Sequence, residues 1–209
     1  MLFQATPRFG AVYPPLSFPY TPLMPLYRDQ SLIPTEAIRL AALGILTAGP
    51  KKYGELAVEV RHFASRMLGP TLDILGTSIE LLRYEGLIEP TGPRAAPGQS
   101  LTADSTVQLT DAGRAALREL LVSRVRAPLT DLSKLVIALK LRFLHLLTRE
   151  EQRAQLEMLV ELTTSELARL NDLRAQYAES GNLLGDWLAQ DIAQSEQRLA
   201  WYEDRLKKV

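Results

Sequence analysis

From Pro34 onward, apolar residues recur every three or four positions, the period of a helix with one buried face. PTEAIRLAALGILTAGP has proline and glutamate in a first turn and stops at Gly49-Pro50. Its apolar side is Ile38, Ala41, Ala42, Ile45 and Leu46. YGELAVEVRHFASRML predicts a second helix with Leu56, Val60, Phe63 and Met67 on one side. After Gly69-Pro70, a third helix repeats Leu72, Leu75, Ile79 and Leu82, and Gly86 ends it. The period then changes. LIEP starts an extended segment, residues 91–104 are turn formers, and STVQLT alternates Val107 and Leu109 against polar neighbours, as a half-buried strand does. Two strands joined by a long loop make a wing. Asp111 stands where a side-chain oxygen would cap the next helix, DAGRAALRELLVSRV.

The remaining chain reads as helix throughout. APLTDLSKLVIALKLRFLHLL predicts one helix entered after Pro128. Thr148 with Glu151 forms a capping box, and the long helix it opens carries Leu156, Leu159, Thr163, Leu167, Leu170, Leu173 and Tyr177 on a seam. Ser180-Gly181-Asn182 breaks it. The last helix aligns Leu184, Leu188, Ile192, Ser195, Leu199, Tyr202 and Leu206 on one face. Two such helices in a hairpin cannot cover both apolar stripes alone, and a second copy of the chain is the simplest cover. The expected dimer interface is therefore Leu156, Leu159, Leu167, Leu170, Leu188, Ile192, Leu199, Tyr202 and Leu206.

Residues 1–33 stand apart, with six of the chain's 13 prolines interleaved with Phe, Tyr and Leu. Proline at that density blocks helix interiors and sheet ladders, so an extended arm is expected, either a loose tail or a strap packed on a domain or partner. The fold class that follows is mainly α. It comprises the arm over 1–33, a winged helix-turn-helix domain with a two-stranded wing over 34–126, and a C-terminal helical dimerisation hairpin over 127–209.

Composition narrows the chemistry. The 24 basic and 24 acidic residues cancel, so any affinity for nucleic acid must come from a local basic patch. Without cysteine, disulfides, thiolate catalysis and cysteine-rich zinc sites are excluded. Two histidines, His62 and His145, are too few for a histidine metal cluster, and no metal or cofactor is expected. Carboxylate pairs such as Glu150-Glu151 and Glu203-Asp204 are adjacent on helices and do not converge on one point. No phosphate-binding glycine loop or nucleophile elbow appears, so no enzyme is expected. No run is long and apolar enough for a membrane span and the N-terminus lacks a signal-peptide pattern, which suits a cytoplasmic protein.

The stretches IPTEAIRLAALGILTAGPKKYGEL, LLRYEGLIEP, VQLTDAGRAALREL, LKLRFLHLLTREEQRAQLEMLVELTTSELARL and QSEQRLAWYEDRLKKV occur in that order. Together they resemble the PadR-like transcriptional regulators, most closely the branch containing the virulence activator AphA, over about residues 32 to 209. The resemblance implies a homodimer on double-stranded operator DNA. Some members release DNA on binding a small aromatic effector. Trp187, Trp201, Tyr177 and Tyr202 would serve an effector pocket, or else core and interface. The pattern departs from the family in two places. Gly76-Thr77 falls where Tyr-Pro is usual, and the entrance to the second helix reads Lys52-Tyr53-Gly54-Glu55.

The third helix raises a conflict. Its inward face leaves Asp73, Thr77 and Glu80 outward, with Thr71, Ser78 and Arg83 beside them, so the expected reading surface is acidic. Lys51 and Lys52, opening the second helix, and Arg94 in the wing are the better phosphate contacts. The expected DNA-binding set is Lys51, Lys52, Thr71, Thr77, Ser78, Arg83 and Arg94. The competing expectation is a winged helix that dimerises or scaffolds and no longer reads DNA.

Overall fold

The computed structural model describes residues 34–69, 75–91, 101–127, 129–177 and 183–209. Its elements run α1 (Pro34–Leu46), β1 (Lys51–Lys52), α2 (Tyr53–Leu68), α3 (Leu75–Tyr84), β2 (Ile88–Pro90), β3 (Thr106–Leu109), α4 (Asp111–Val122), α5 (Asp131–Phe143), α6 (Arg149–Tyr177) and α7 (Leu183–Leu206). A 3-10 turn, Leu144–Leu146, follows α5 directly. The sheet is antiparallel in the order β1-β3-β2. This is a winged helix followed by a helical hairpin. The arm over 1–33 lies outside the described residues.

One strand was hidden in the sequence. Lys51 and Lys52 do not open α2 but form β1, with Lys51 opposite Val107 and Lys52 opposite Thr106. Two lysines carry no alternation of their own, and the pairing exists because β3 passes alongside. The strand β3 points Val107 and Leu109 into the core, as its alternation predicts.

α1 is the centre of the molecule. From Ala37 to Leu46 every side chain except Arg39 is buried, against α2, α3, α4 and α5. Each large aliphatic buried there contributes about 1.5–3 kcal/mol. Small residues let its neighbours approach: a Cβ on Gly44 would lie 2.4 Å from the ring of Phe143 at the end of α5. α2 buries Leu56, Val60 and Ala64, while Met67, expected inside, is exposed.

The EGLI and LTDAG stretches lock onto each other. Gly86 adopts φ +69°, a left-handed conformation that glycine takes without strain, and ends α3. The cap of α4 is Thr110 rather than Asp111: its hydroxyl accepts from the Gly113 amide at 3.0 Å and donates to the Gly86 carbonyl at 2.7 Å. Gly113 sits so close to the Leu87 carbonyl that a Cβ would come within 2.0 Å of that oxygen. These residues build the corner between α3, β2 and α4.

α5 starts later than the apolar run suggests. Thr130 and Ser133 make a reciprocal capping box, and α5 yields to the 3-10 turn before Leu147. Thr148 and Glu151 form the expected box at the start of α6, each accepting from the other's backbone amide. His145, set among Leu144, Leu146 and Leu147, is exposed on the 3-10 turn.

A buried lysine joins these helices. Lys140 on α5 donates from Nζ to the carbonyls of Leu120 (3.2 Å), Leu121 (2.5 Å) and Ser123 (2.6 Å), and to Gln155 Oε1 (3.1 Å) on α6. Gln155 Nε2 donates to the Val122 carbonyl. The carbonyls left over at the end of α4 thus all find donors, which a buried helix end requires. Burial pushes the Lys140 ammonium down to about 7.

One hydrophobic core runs from α1 through α5 into Met158 and Leu159 of α6 and Tyr202 of α7. Farther along the hairpin, Leu167 and Leu170 of α6 pack on Leu188 and Ile192 of α7 as a separate cluster, with Leu199 against it. The hairpin is seated on the winged helix at its base and held by its own small core beyond.

Candidate nucleic-acid interface

The edge formed by β1 and the start of α2 is built from backbone bonds to the lead-in of β3. Tyr53 N–H donates to the Ser105 carbonyl at 2.8 Å and Gly54 N–H to the Ala103 carbonyl at 2.9 Å. Lysine cannot accept a bond as an N-cap, so these two orphan donors of α2 are met by the wing side instead. This fixes where the two lysine side chains leave the chain.

Lys51 is held by Glu59, one turn and a half into α2, with Nζ 2.5 Å from Oε2. Glu59 also accepts from Arg142 of α5 at 2.8 Å, and the guanidinium of Arg142 lies over the rings of Phe63 and Phe143. The hydrogen bond from Lys51, reinforced by Arg142, holds the Glu59 carboxyl below its ordinary range. Lys52 is exposed and 3.4 Å from Asp104. Arg61, His62 and Arg66 are exposed on α2, and neither arginine has an ion-pair partner among the described residues. Sequence reasoning passed over these two cations, although both fall outside the Leu56, Val60, Ala64 spacing that marks the inner face.

α3 shows where part of that charge goes. Ile79 and Leu82 are fully buried, as the period predicts. The exposed described side chains are Leu81 and Tyr84, the latter 69% exposed with Arg83 over its ring at 5.3 Å. Glu80, expected outward, is half-buried beside Tyr53; burial and then that carboxylate raise the Tyr53 phenol above its usual range. Glu85 pairs with Arg39 of α1, and Glu89 accepts from Gln108 of β3 at 2.8 Å. Of these acids Glu85 alone has a cationic partner among the described residues, while Glu89 stays exposed with a neutral donor beside it. Thr77 and Ser78 belong to the first half of α3, but their side chains, and Thr71 and Arg94 entirely, lie outside the described residues.

A helix face of this kind can meet the thymine methyl with leucine and a phosphate with the tyrosine hydroxyl. Phosphate contacts along β1 and α2 would orient it without selecting sequence.

The residues expected at a dimer interface are largely covered within the single chain. Leu156, Leu159, Leu167, Leu170, Leu188, Ile192 and Tyr202 are buried within one chain, and Leu199 and Leu206 are half-buried. The apolar side chains left exposed on the hairpin are Leu173, Tyr177, Leu183, Leu184 and Trp187 toward its tip and Trp201 near its base. Among the described residues no group of histidine, aspartate and glutamate is arranged to hold a metal, and no helix is long and apolar enough to cross a membrane.

A family profile described as "Putative AphA-like transcriptional regulator" matches residues 27–206. No curated protein matches the chain. Among solved structures it is similar to Bacillus subtilis PadR in complex with operator DNA, at 17% identity and a TM-score of 0.34, over 85% of this chain and 100% of that one. It is also similar to Bacillus subtilis PadR in complex with p-coumaric acid, at 19% identity and a TM-score of 0.34, over 84% of this chain and 97% of that one. These likenesses assign no role to any residue. The profile match spans nearly the whole chain and describes regulators rather than enzymes. The chain belongs to the AphA-like transcriptional regulator family.

Proposed function

We propose that this regulator works as a homodimer that binds operator DNA through its winged helix, in the cytoplasm. The observation that carries the reading is the face of α3, where Leu81 and Tyr84 are open while Glu80 is half-buried and Glu85 is paired with Arg39. Lys51, Lys52, Thr71, Thr77, Ser78, Arg83 and Arg94 make up the proposed contact set, to which Arg61 and Arg66 are added. In this reading residues 34–126 form the DNA-facing unit and 127–209 the dimerisation unit, with 1–33 as an arm. The seam from Leu156 to Leu206 shapes the hairpin, and the exposed side chains near Trp187 meet the second copy. A small aromatic effector, where one is used, would meet the exposed aromatic side chains of α6 and α7.

Fluorescence anisotropy with a labelled duplex from the protein's own promoter tests the proposal, at low and moderate salt against a scrambled duplex. The promoter duplex should bind more tightly, and affinity should fall steeply with salt because phosphate contacts release counterions. No preference at low salt, with the protein folded and dimeric, would leave the scaffold reading. That reading is favoured by Lys51 and Lys52 both being engaged by carboxylates in the free protein.

A further inference from the structure

We infer that Glu59 is an internal competitor for DNA: its carboxylate occupies Lys51 in the free protein and yields that lysine to a phosphate on binding. The inference rests on the DNA-binding reading above and adds a regulating residue to it.

The geometry gives three reasons. Lys51 lies two residues before α2, on the strand that edges the sheet, and its Nζ is 2.5 Å from Glu59. The pair is only partly shielded, with Lys51 31% and Glu59 33% exposed, so a phosphate oxygen can reach the ammonium from solvent. The third reason is Arg142. A carboxylate that lost its only cation in a half-buried place would oppose the exchange, because it would be left desolvated and unpaired. Glu59 keeps the Arg142 guanidinium at 2.8 Å when Lys51 leaves. Arg142 itself is anchored over Phe63 and Phe143 and does not follow. The exchange therefore moves one flexible lysine between two anions and leaves no bare charge behind.

Lys52 has no such arrangement. Its partner Asp104 is 90% exposed and 3.4 Å away, a contact that water replaces readily. Lys51 is thus the cation whose availability the protein itself sets, and because Arg142 belongs to α5, a shift of α5 would alter the hold of Glu59 on Lys51.

The test is anisotropy with the promoter duplex at low salt, on the full chain, using Glu59→Gln, Glu59→Asp, Lys51→Ala, Glu59→Gln with Lys51→Ala, and Glu55→Gln. Partly exposed ion pairs are worth little, so Glu59→Gln should tighten binding by about two- to five-fold. Glu59→Asp, one methylene short of Lys51, should tighten it in the same direction without changing net charge. Glu55→Gln removes a charge from the exposed face of the same helix and should do less than Glu59→Gln. In the Lys51→Ala background, Glu59→Gln should do no more than Glu55→Gln does in the wild type. Unchanged affinity in both Glu59 variants, or equal tightening with and without Lys51, overturns the inference while leaving DNA binding intact. A wild type that prefers no duplex overturns the DNA-binding reading and this inference with it.

Discussion

Gly44→Ala offers a sharp check on how the winged helix is joined to its C-terminal helices. Gly44 lies inside α1, where alanine would ordinarily be favoured over glycine by about 1 kcal/mol. Its added Cβ, however, would sit 2.4 Å from Cε2 and 2.6 Å from Cδ2 and Cζ of Phe143. The Phe143 ring is 5% exposed and closes α5, so it cannot swing aside into solvent. Overpacking a core in this way costs about 1–3 kcal/mol. Subtracting the propensity gain leaves a net loss of about 1 kcal/mol, or a fall in Tm of about 2–4 °C for a chain of this size. The sign should reverse when the ring is removed. Phe143→Ala alone should cost about 3–5 kcal/mol, but in that background Gly44→Ala should stabilise by about 1 kcal/mol. Urea unfolding followed by circular dichroism, at one fixed protein concentration so that any association enters equally, measures the wild type and the three variants. A Gly44→Ala effect that is the same in both backgrounds would refute the packing of α1 on α5 described above.

Two further outcomes follow from the buried lysine and the hairpin. Lys140 has a folded pKa of about 7 against 10.5 for an ordinary lysine, so between those values the unfolded chain holds a proton that the folded chain does not. Its contribution to stability therefore rises with pH from about 7 to about 10, at up to about 1.4 kcal/mol per pH unit, and levels off below about 7. Lys140→Met should flatten the difference in unfolding free energy between pH 7.5 and 9.5; a wild-type slope that survives the substitution would remove Lys140 as its source. Leu183, 83% exposed, and Trp187, 59% exposed, are the test of assembly. Leu183→Glu with Trp187→Glu should convert a dimer to a monomer at micromolar concentration in light scattering, with the helical circular dichroism unchanged, whereas a dimer that persists places the interface elsewhere.

The motifs that carry the family resemblance turn out to be corner pieces of the fold. Gly86 reverses the chain, Thr110 caps α4 and bonds back to it, and Gly113 admits the Leu87 carbonyl. Those requirements belong to any chain that turns from α3 through β2 into α4 in this way. They identify the architecture well and say little about what the α3 face touches. That face depends instead on Leu81 and Tyr84, which carry no motif.

Helix order, the inward faces of α1 and α3, the alternating strand β3 and the capping box at Thr148 follow from local periods and local caps, and were legible in the sequence for that reason. What escaped it depends on partners distant in the chain. β1 exists only because Lys51 and Lys52 meet Thr106 and Val107. Glu85 is matched by a cation only because Arg39 of α1 reaches it, and Glu89 gains a hydrogen bond only because Gln108 lies opposite it on β3. The buried Lys140 reads as a solvated lysine until the end of α4 is placed against it. The seam of α6 could be assigned to burial but not to a partner, since a leucine period states that a face is covered and not by which surface. In this chain the sequence alone determined which faces are apolar and where each helix turns. Tertiary structure decided which charges are paired within the protein and which remain open to solvent, because ion pairs and strand bridges depend on distances that local sequence does not contain.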